Sequence, residues 1–372
     1  MLTSLLGIRL ILWMGSPVPR PAPYEVMSSL LQVEVTNNIE TGDGFQITLS
    51  LGKGKDPDYG LLKSSALEPF SQVVIGVIMG AMPQALINGV ITHRQIAPSN
   101  EPGSSTLTLT GKDVSLMLDL EEKNEMYENQ PDFLIATGVI AKYAKYGLIP
   151  SVTPTTDVPL VVQRVPRQNE TDLKLLQKLA RRNGFIFYVE PATMGVSTAY
   201  FGPESRVGLP QPALTMNMGS ATNVTDLHFS NDSLAPVAAS GNFVEPVTKM
   251  RIPIPQLPSL KIPPLATSSA PPRRRVLMRN TANQNPAQAA ASALSTSARA
   301  PDPVTGEGEL DSVLYGSVLR ARKLVGLRGA GVSYDGNYYV KNVKHIITIG
   351  SYKQQFSLSR EGTGTLLPVV RP

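Results

Sequence analysis

Cysteine is absent from all 372 residues, which excludes disulfides, thiolate metal sites and a cysteine nucleophile. Histidine is almost absent. His93, His228 and His345 lie far apart and none belongs to an HxH or HExxH spacing, so the sequence offers no basis for a zinc centre or a Ser-His-Asp triad. Charge is scarce at 17%, against roughly 25% in an average soluble domain, so Ser, Thr, Asn, Gln, Gly and Pro must cover much of the surface. Such a surface suits contact with other protein chains. Long apolar runs are also lacking: Leu5 to Met14 is broken by Arg9 and falls short of the ~20 residues of a membrane span. No positively charged segment precedes it, as a signal peptide requires. It reads as an N-terminal arm packing on a neighbour, or as a start placed too early with Met27 as the alternative. Membrane anchoring by this chain is not expected.

Turns and apolar residues, by contrast, are plentiful. Pro at 32, Gly at 30 and a hydrophobic fraction of 42% predict two or three domains built from short strands. Leu31, Val33 and Val35 alternate with Gln32, Glu34 and Thr36, as a half-buried strand does, and Phe45–Leu49 repeats the pattern after Thr41-Gly42-Asp43-Gly44. Val73–Met79, Leu86–His93 and Thr106–Thr110 continue it, so residues 29–111 predict a small barrel or sandwich.

Past Gly111 the pattern becomes mixed. Pro131-Asp132 opens a helix with Ala136, Val139, Ile140 and Tyr143 on one face, stopping at Gly147. Asn169-Glu170-Thr171-Asp172 opens a second, with Leu173, Leu176 and Leu179 on one face and Gly184 as its stop, followed at once by the strand Phe185–Glu190. From 243 to 305 regular pattern is lost. Val244–Pro272 holds eight prolines, and residues 241–300 carry eight Lys or Arg against the single acid Glu245. Ala287–Ala300 predicts a short helix. Tyr338–Ile346 and Ser351–Arg360 flank Gly350 as an antiparallel hairpin.

Candidate chemistry is thin. Asp113/Asp119 and Glu121/Glu122 are of the residue type glycosidases use, but nothing sets two carboxyls across a cleft, so capping or solvated roles are expected. Gly329-Ala330-Gly331 and Gly52-Lys53-Gly54-Lys55 lack the full spacing of a phosphate loop, so no cofactor is expected. The run Arg273, Arg274, Arg275 and Arg279 could neutralise phosphates, but no aromatic residue interleaves with it. A strap docking on an acidic protein surface is the stronger expectation for 243–305.

Three stretches together resemble a known family. Leu107-Thr108-Leu109-Thr110-Gly111-Lys112-Asp113 with the following helix is the first. Arg167-Gln168-Asn169-Glu170-Thr171-Asp172-Leu173 through Arg182-Asn183-Gly184-Phe185 is the second. The third is C-terminal: Leu319-Arg320-Ala321-Arg322, Tyr334-Asp335-Gly336, Tyr338-Tyr339-Val340, His345 and Tyr352 through Gly362. In this order they resemble the late control gene D family of phage tail proteins, similar to the hub-forming N-terminal half of VgrG spike proteins. The resemblance implies an α+β, mainly β chain with two small β-barrel domains and a mixed α/β domain between them. The expected division is an arm at 1–28, a first barrel at 29–111, the mixed domain at 112–242, the Pro/Arg-rich linker or strap at 243–305 and a second barrel at 306–372.

The resemblance further implies a non-enzymatic baseplate hub of a phage tail or phage-like injection particle, assembled in the cytoplasm. Three copies would form a ring that fits a hexameric inner tube to a trimeric spike. The implied partners are itself as a homotrimer, the tube protein, the spike protein and other baseplate proteins, with no small-molecule substrate. Only ten residues follow Gly362, so the spike is expected to be a separate protein. Candidate interface residues are Arg273, Arg274, Arg275, Arg279, Tyr338, Tyr339, Tyr352 and Phe356. Two alternatives stand beside it: a tail-associated enzyme that degrades cell wall through the 113–128 acids, and a nucleic-acid-binding protein acting through the arginine run.

Overall fold

The computed structural model describes residues 7–52, 59–80, 82–101, 103–155, 165–244, 250–253, 261–278, 292–293, 295–297 and 299–366. Alternating apolar residues build the first β region from β1 (Arg9–Gly15), β2 (Arg20–Pro21), β3 (Leu30–Asn38), β4 (Gly44–Ser50), β5 (Gln72–Met79), β6 (Met82–Ala97) and β7 (Thr106–Asp113). Neighbours run in the order β3-β4-β7-β6-β5-β1-β2. Val33, Val35, Phe45, Ile47, Leu49, Leu107 and Leu109 point into one core, and each such side chain contributes about 1.5–3 kcal/mol on leaving water. Phe45 lies flat over Gly111, where a Cβ would come within 2.2 Å of its ring, so this strand position accepts only glycine. Every residue of β1 pairs with β5, and Leu12 and Met14 fill the core. Residues 9–15 are therefore integral to this region and not a free arm, and a chain begun at Met27 would lose that strand.

A mixed layer follows, made of β8 (Glu122–Met126), the helix Asp132–Ala141, β9 (Leu148–Val152), β10 (Arg167–Thr171), the helix Asp172–Asn183, β11 (Ile186–Thr193) and β12 (Val196–Gly202). Ile135, Ala136, Val139 and Ile140 of the first helix share a core with Leu175, Leu176 and Leu179 of the second. Thr171 caps the second helix through the backbone N–H of Lys174, and Gly184 ends it at φ 70. The first helix stops at Ala141, short of Gly147, because a 3₁₀ turn at Ala144–Tyr146 takes over before that glycine. Asn88 of β6 ties the layer to the first β region, donating to the Thr193 and Val196 carbonyls at 2.9 Å each.

The next strands, β13 (Gln211–Thr215) and β14 (Val224–Asn231), already belong to the second β region, so the mixed part ends near Gly202 and not at 242. Between β14 and the next long strand lie β15 (Val237–Ser240), β16 (Asn242–Val244), β17 (Arg251–Pro253), β18 (Ala266–Ser269) and β19 (Arg274–Leu277). Then come β20 (Val304–Asp311), β21 (Leu324–Arg328), β22 (Gly336–Thr348), β23 (Ser351–Arg360) and β24 (Gly362–Thr365). Leu214, Val224, Leu310, Leu327, Tyr338, Val340, Phe356 and Leu358 share the third core.

The two β regions are built on one plan. In chain order, β3, β4, β5, β6 and β7 have the pairing partners that β14, β20, β21, β22 and β23 have. Over their shared length the ladders correspond residue by residue, with two matching irregularities, while the β5–β6 shift between Ile75 and Gly76 lies beyond the end of β21–β22. β3 slips against β4 between Leu30 and Gln32, as β14 does against β20 between Val224 and Asp226. β6 slips against β7 between Ile91 and His93, as β22 does against β23 between Val340 and Asn342. Thr110 stands opposite both Gln46 and His93, and Ser357 stands opposite both Glu307 and Asn342. No pairing among the described residues closes either region on itself. Instead β3 pairs with β22 from Gln32↔Thr348 to Asn38↔Asn342, joining both into one 13-stranded sheet.

The 243–305 segment is held against its own chain. β19 pairs in parallel with β15, β18 pairs with β24, and β16 with β17. It is therefore no free linker over its described part. Three- and four-residue strands among prolines carry too little periodicity to be read from sequence. Of the expected Ala-rich helix, residues 292–293 and 295–297 are helical.

Candidate functional site

The shared sheet buries one face in the cores and turns the other to solvent. Registers place its outward side chains in rows across both regions. One row runs Asp226, Glu309, Gln355, Lys344, Thr36, Gly44, Lys112. Another runs Lys353, Ile346, Glu34, Gln46, Thr110, His93. A third runs Ser351, Thr348, Gln32, Thr48, Thr108, Gln95. Ten of the nineteen residues in these rows are Thr, Ser or Gln, and six are charged, three of each sign. Several of its charges are paired locally, with Lys344 at 2.9 Å from Glu34 and Lys353 at 2.7 Å from Glu309. Exposed pairs of this kind add little stability but leave little net charge on the wall.

Beneath that face the seam is locked by side chains from three directions. Arg322 is buried, donates to Asp43 at 3.1 Å and to the Asn38 carbonyl at 2.8 Å, and stacks 4.4 Å above the Tyr188 ring of the mixed layer. A buried guanidinium needs such partners, because unpaired burial costs several kcal/mol. Asp43 also accepts from Asn37 at 2.8 Å. Asp113 lies in the same cluster, where burial and then the Asp43 charge push its carboxyl up to about 7. Arg320 reaches across to the Ala85 carbonyl of β6. Val318, Ile347 and Tyr352 of the second region sit in the core of the first. His345, opposite Val35, is fully buried, with Nδ1 2.9 Å from the Tyr352 hydroxyl. Burial, then the Arg320 charge, pulls it down to about 3, so it is neutral.

A second buried cluster staples the strap. Arg206, 1% exposed, meets Asp302 at 3.0 Å and Glu361 at 2.7 Å, while Lys261 meets Asp302 at 2.7 Å. Glu361 also accepts the backbone N–H of Ala266 at 2.8 Å, and Ser359 donates to Asp302 at 2.7 Å.

The candidate interface residues divide. Tyr338, Tyr339, Tyr352 and Phe356 are 0, 0, 4 and 3% exposed, so they are core residues of this chain and not contact residues. Inward alternation puts Tyr338, Tyr352 and Phe356 there, whereas Tyr339, on the opposite face of β22, is covered by Leu265 of the strap and by Leu324. Arg273, Arg274 and Arg275 are exposed, the latter two on β19, and Arg279 lies outside the described residues. The motif acids and arginines hold the fold. Asp119 accepts from Thr171 at 2.6 Å, Asp132 accepts from Asn183 at 2.6 Å, and Asp172 takes Lys123, Tyr143 and Gln168 at 2.6, 2.7 and 2.8 Å. Sequence reasoning took Leu319–Arg322 only as part of the C-terminal resemblance and missed its locking role, which it fills from a loop before β21. Two arginines alternating with apolar residues were the available signal. Among the described residues no group of three or more His, Asp or Glu is placed to hold a metal ion, and no helix is long and apolar enough to cross a membrane.

No family model matches the sequence, and no curated protein does. Solved structures do. A tail protein from Neisseria meningitidis MC58 is 12% identical over 95% of this chain and 97% of its own, with a TM-score of 0.66. The 43 kDa tail protein of prophage MuSo2 from Shewanella oneidensis is 13% identical over 95 and 99%, again with a TM-score of 0.66. The E. coli c3393 protein is a type VI secretion component with structural similarity to the T4 bacteriophage tail proteins gp27 and gp5. It is 12% identical over 92 and 78%, with a TM-score of 0.55. The chain therefore has the fold of phage tail proteins, in line with the resemblance seen in its sequence.

Proposed function

We propose that this chain is a structural hub of a phage tail or phage-like injection particle, in which three copies close a ring between a hexameric inner tube and a trimeric spike. The observation that carries the proposal is the register-matched pair of β units sharing one sheet. Two equivalent units per chain turn three copies into six similar positions, which is what a junction between six-fold and three-fold partners requires. The polar face, whose positive and negative charges balance, suits a wall past which other molecules move without sticking. A non-enzymatic role is supported by three of the six acids in 113–128, since Asp113, Asp119 and Glu125 are engaged by Ser115, Thr171 and Tyr127 respectively.

Light-scattering mass of the purified full-length chain tests this. The expected result is a particle of three chains, seen as a ring with six similar lobes by negative-stain microscopy. A monomer at micromolar concentration overturns the ring. Peptidoglycan cleavage by that monomer would replace it with the enzyme reading, and salt-sensitive DNA binding with the nucleic-acid reading.

A further inference from the structure

The duplication leaves one seam made and one unmade. In the second unit the row His228, Glu307, Ser357, Asn342 continues across the seam to Asn38 on β3. The matching row of the first unit, Glu34, Gln46, Thr110, His93, ends at β6. On the side away from β7, β6 pairs with β5 only as far as Val90, and Ile91 bonds Ser71 and Phe70. From Thr92 to Ala97 that side has no backbone partner among the described residues. The strand equivalent to β3 is β14, whose outer edge likewise has no strand partner among the described residues, as it ends the sheet path.

We infer that the contact between neighbouring copies is this missing seam: β14 of one copy adds, antiparallel, to Thr92–Ala97 of β6 in the next. The inference rests on the ring reading and specifies how it closes. Transferring the β3–β22 register sets Arg94 opposite Asn231, Gln95 opposite Ser230, Ile96 opposite Phe229 and Ala97 opposite His228 of the second copy. The side chains fit that placement. Ile96 occupies the inward position that buried His345 holds in the made seam, yet it is 37% exposed. Half-buried Phe229 would cover it. Arg94 occupies the inward place of Val343, and its Nη1 is buried without a hydrogen-bond partner, so the Asn231 it would face supplies an amide acceptor. Gln95 and Ser230 would extend the polar face unbroken. Two unpaired edges of matching register are a standing invitation to pair, and ring closure removes both.

Because the native chain has no cysteine, engineered thiols report this contact without background. Full-length chains carrying Gln95→Cys with Ser230→Cys, and separately Ala97→Cys with His228→Cys, are oxidised and run on non-reducing gels. Directly opposed Cα atoms lie within disulfide range, and diagonal ones mostly do not. Both pairs should join copies covalently, on the order of tenfold more than the out-of-register pair Gln95→Cys with His228→Cys. An oligomer by mass that fails to cross-link, or that favours the shifted pair, overturns this seam and leaves the ring reading standing. A monomeric wild-type chain overturns both.

Discussion

The two β units share strand order and, over their common ladders, register and two bulges, yet differ at one connection and at one edge. Between their first two strands the first unit has a short turn, Ile39–Asp43, while the second carries the whole strap from Asp232 to Pro303. The sixth strand of each unit sits beside the equivalent neighbour but runs in opposite senses, β1 being antiparallel to β5 and β13 parallel to β21. The ladder registers are thus the constrained part of the design, and connections and filler strands are free to diverge. Bulges kept at matching places are structural devices that aim side chains and bend the sheet, not defects.

The comparison breaks first at its seam. Arg322→Ala leaves Asp43 buried without its guanidinium, and a stability loss of about 3–5 kcal/mol in urea unfolding is expected. A loss below about 1 kcal/mol would mean that the units are held by packing alone. Ile347→Ala removes a second-unit side chain from the first unit's core, with an expected loss of about 2–4 kcal/mol in the same assay.

Two buried groups near the seam oppose each other in pH. Asp113, raised to about 7 from 3.8, takes up its proton in the folded state first, so its contribution falls as pH rises from about 4 to 7. His345, lowered to about 3 from 6.5, stays neutral in the fold, so its contribution rises with pH from about 3 to 6.5. Between pH 4 and 6.5 the wild type should be nearly flat. Asp113→Asn should show stability rising, and His345→Gln falling, by up to about 1.4 kcal/mol per pH unit, read from urea midpoints at pH 4.5 and 6.5. Slopes of the same sign in both variants would refute the opposition. Lys344→Ala, on the polar face, should change stability by less than about 1 kcal/mol, since both it and its partner Glu34 keep contact with water, at 34 and 22% exposed. A larger loss would show that the face is structural.

Legibility in the sequence followed burial contrast. Val33, Val35, Phe45 and Ile47 alternate cleanly because one face is core and the other water, so β3 and β4 could be read directly. The helix Asp172–Asn183 was readable through its cap and its leucines. β14 was not. Its outward Asp226 and His228 alternate with Leu227 and Phe229, only half-buried, because an edge strand lacks the neighbour that would complete the contrast. The four aromatic candidates were misplaced for a related reason: large rings mark interfaces and cores alike, inward parity buries Tyr338, Tyr352 and Phe356, and Tyr339 on the other face is buried only because the strap covers it. The pairing of Arg322 with Asp43 joins residues far apart in the chain, which no local pattern encodes.

The β3–β22 seam has a consequence for synthesis. Its partners are separated by about 300 residues, so in a chain made from its N-terminus β3 stands with an open edge until nearly everything else has emerged. During that interval the β22 of a neighbouring chain that has not yet paired with its own β3 is chemically indistinguishable from the chain's own. On crowded ribosomes reading one message, strand exchange between neighbours would then compete with pairing inside each chain.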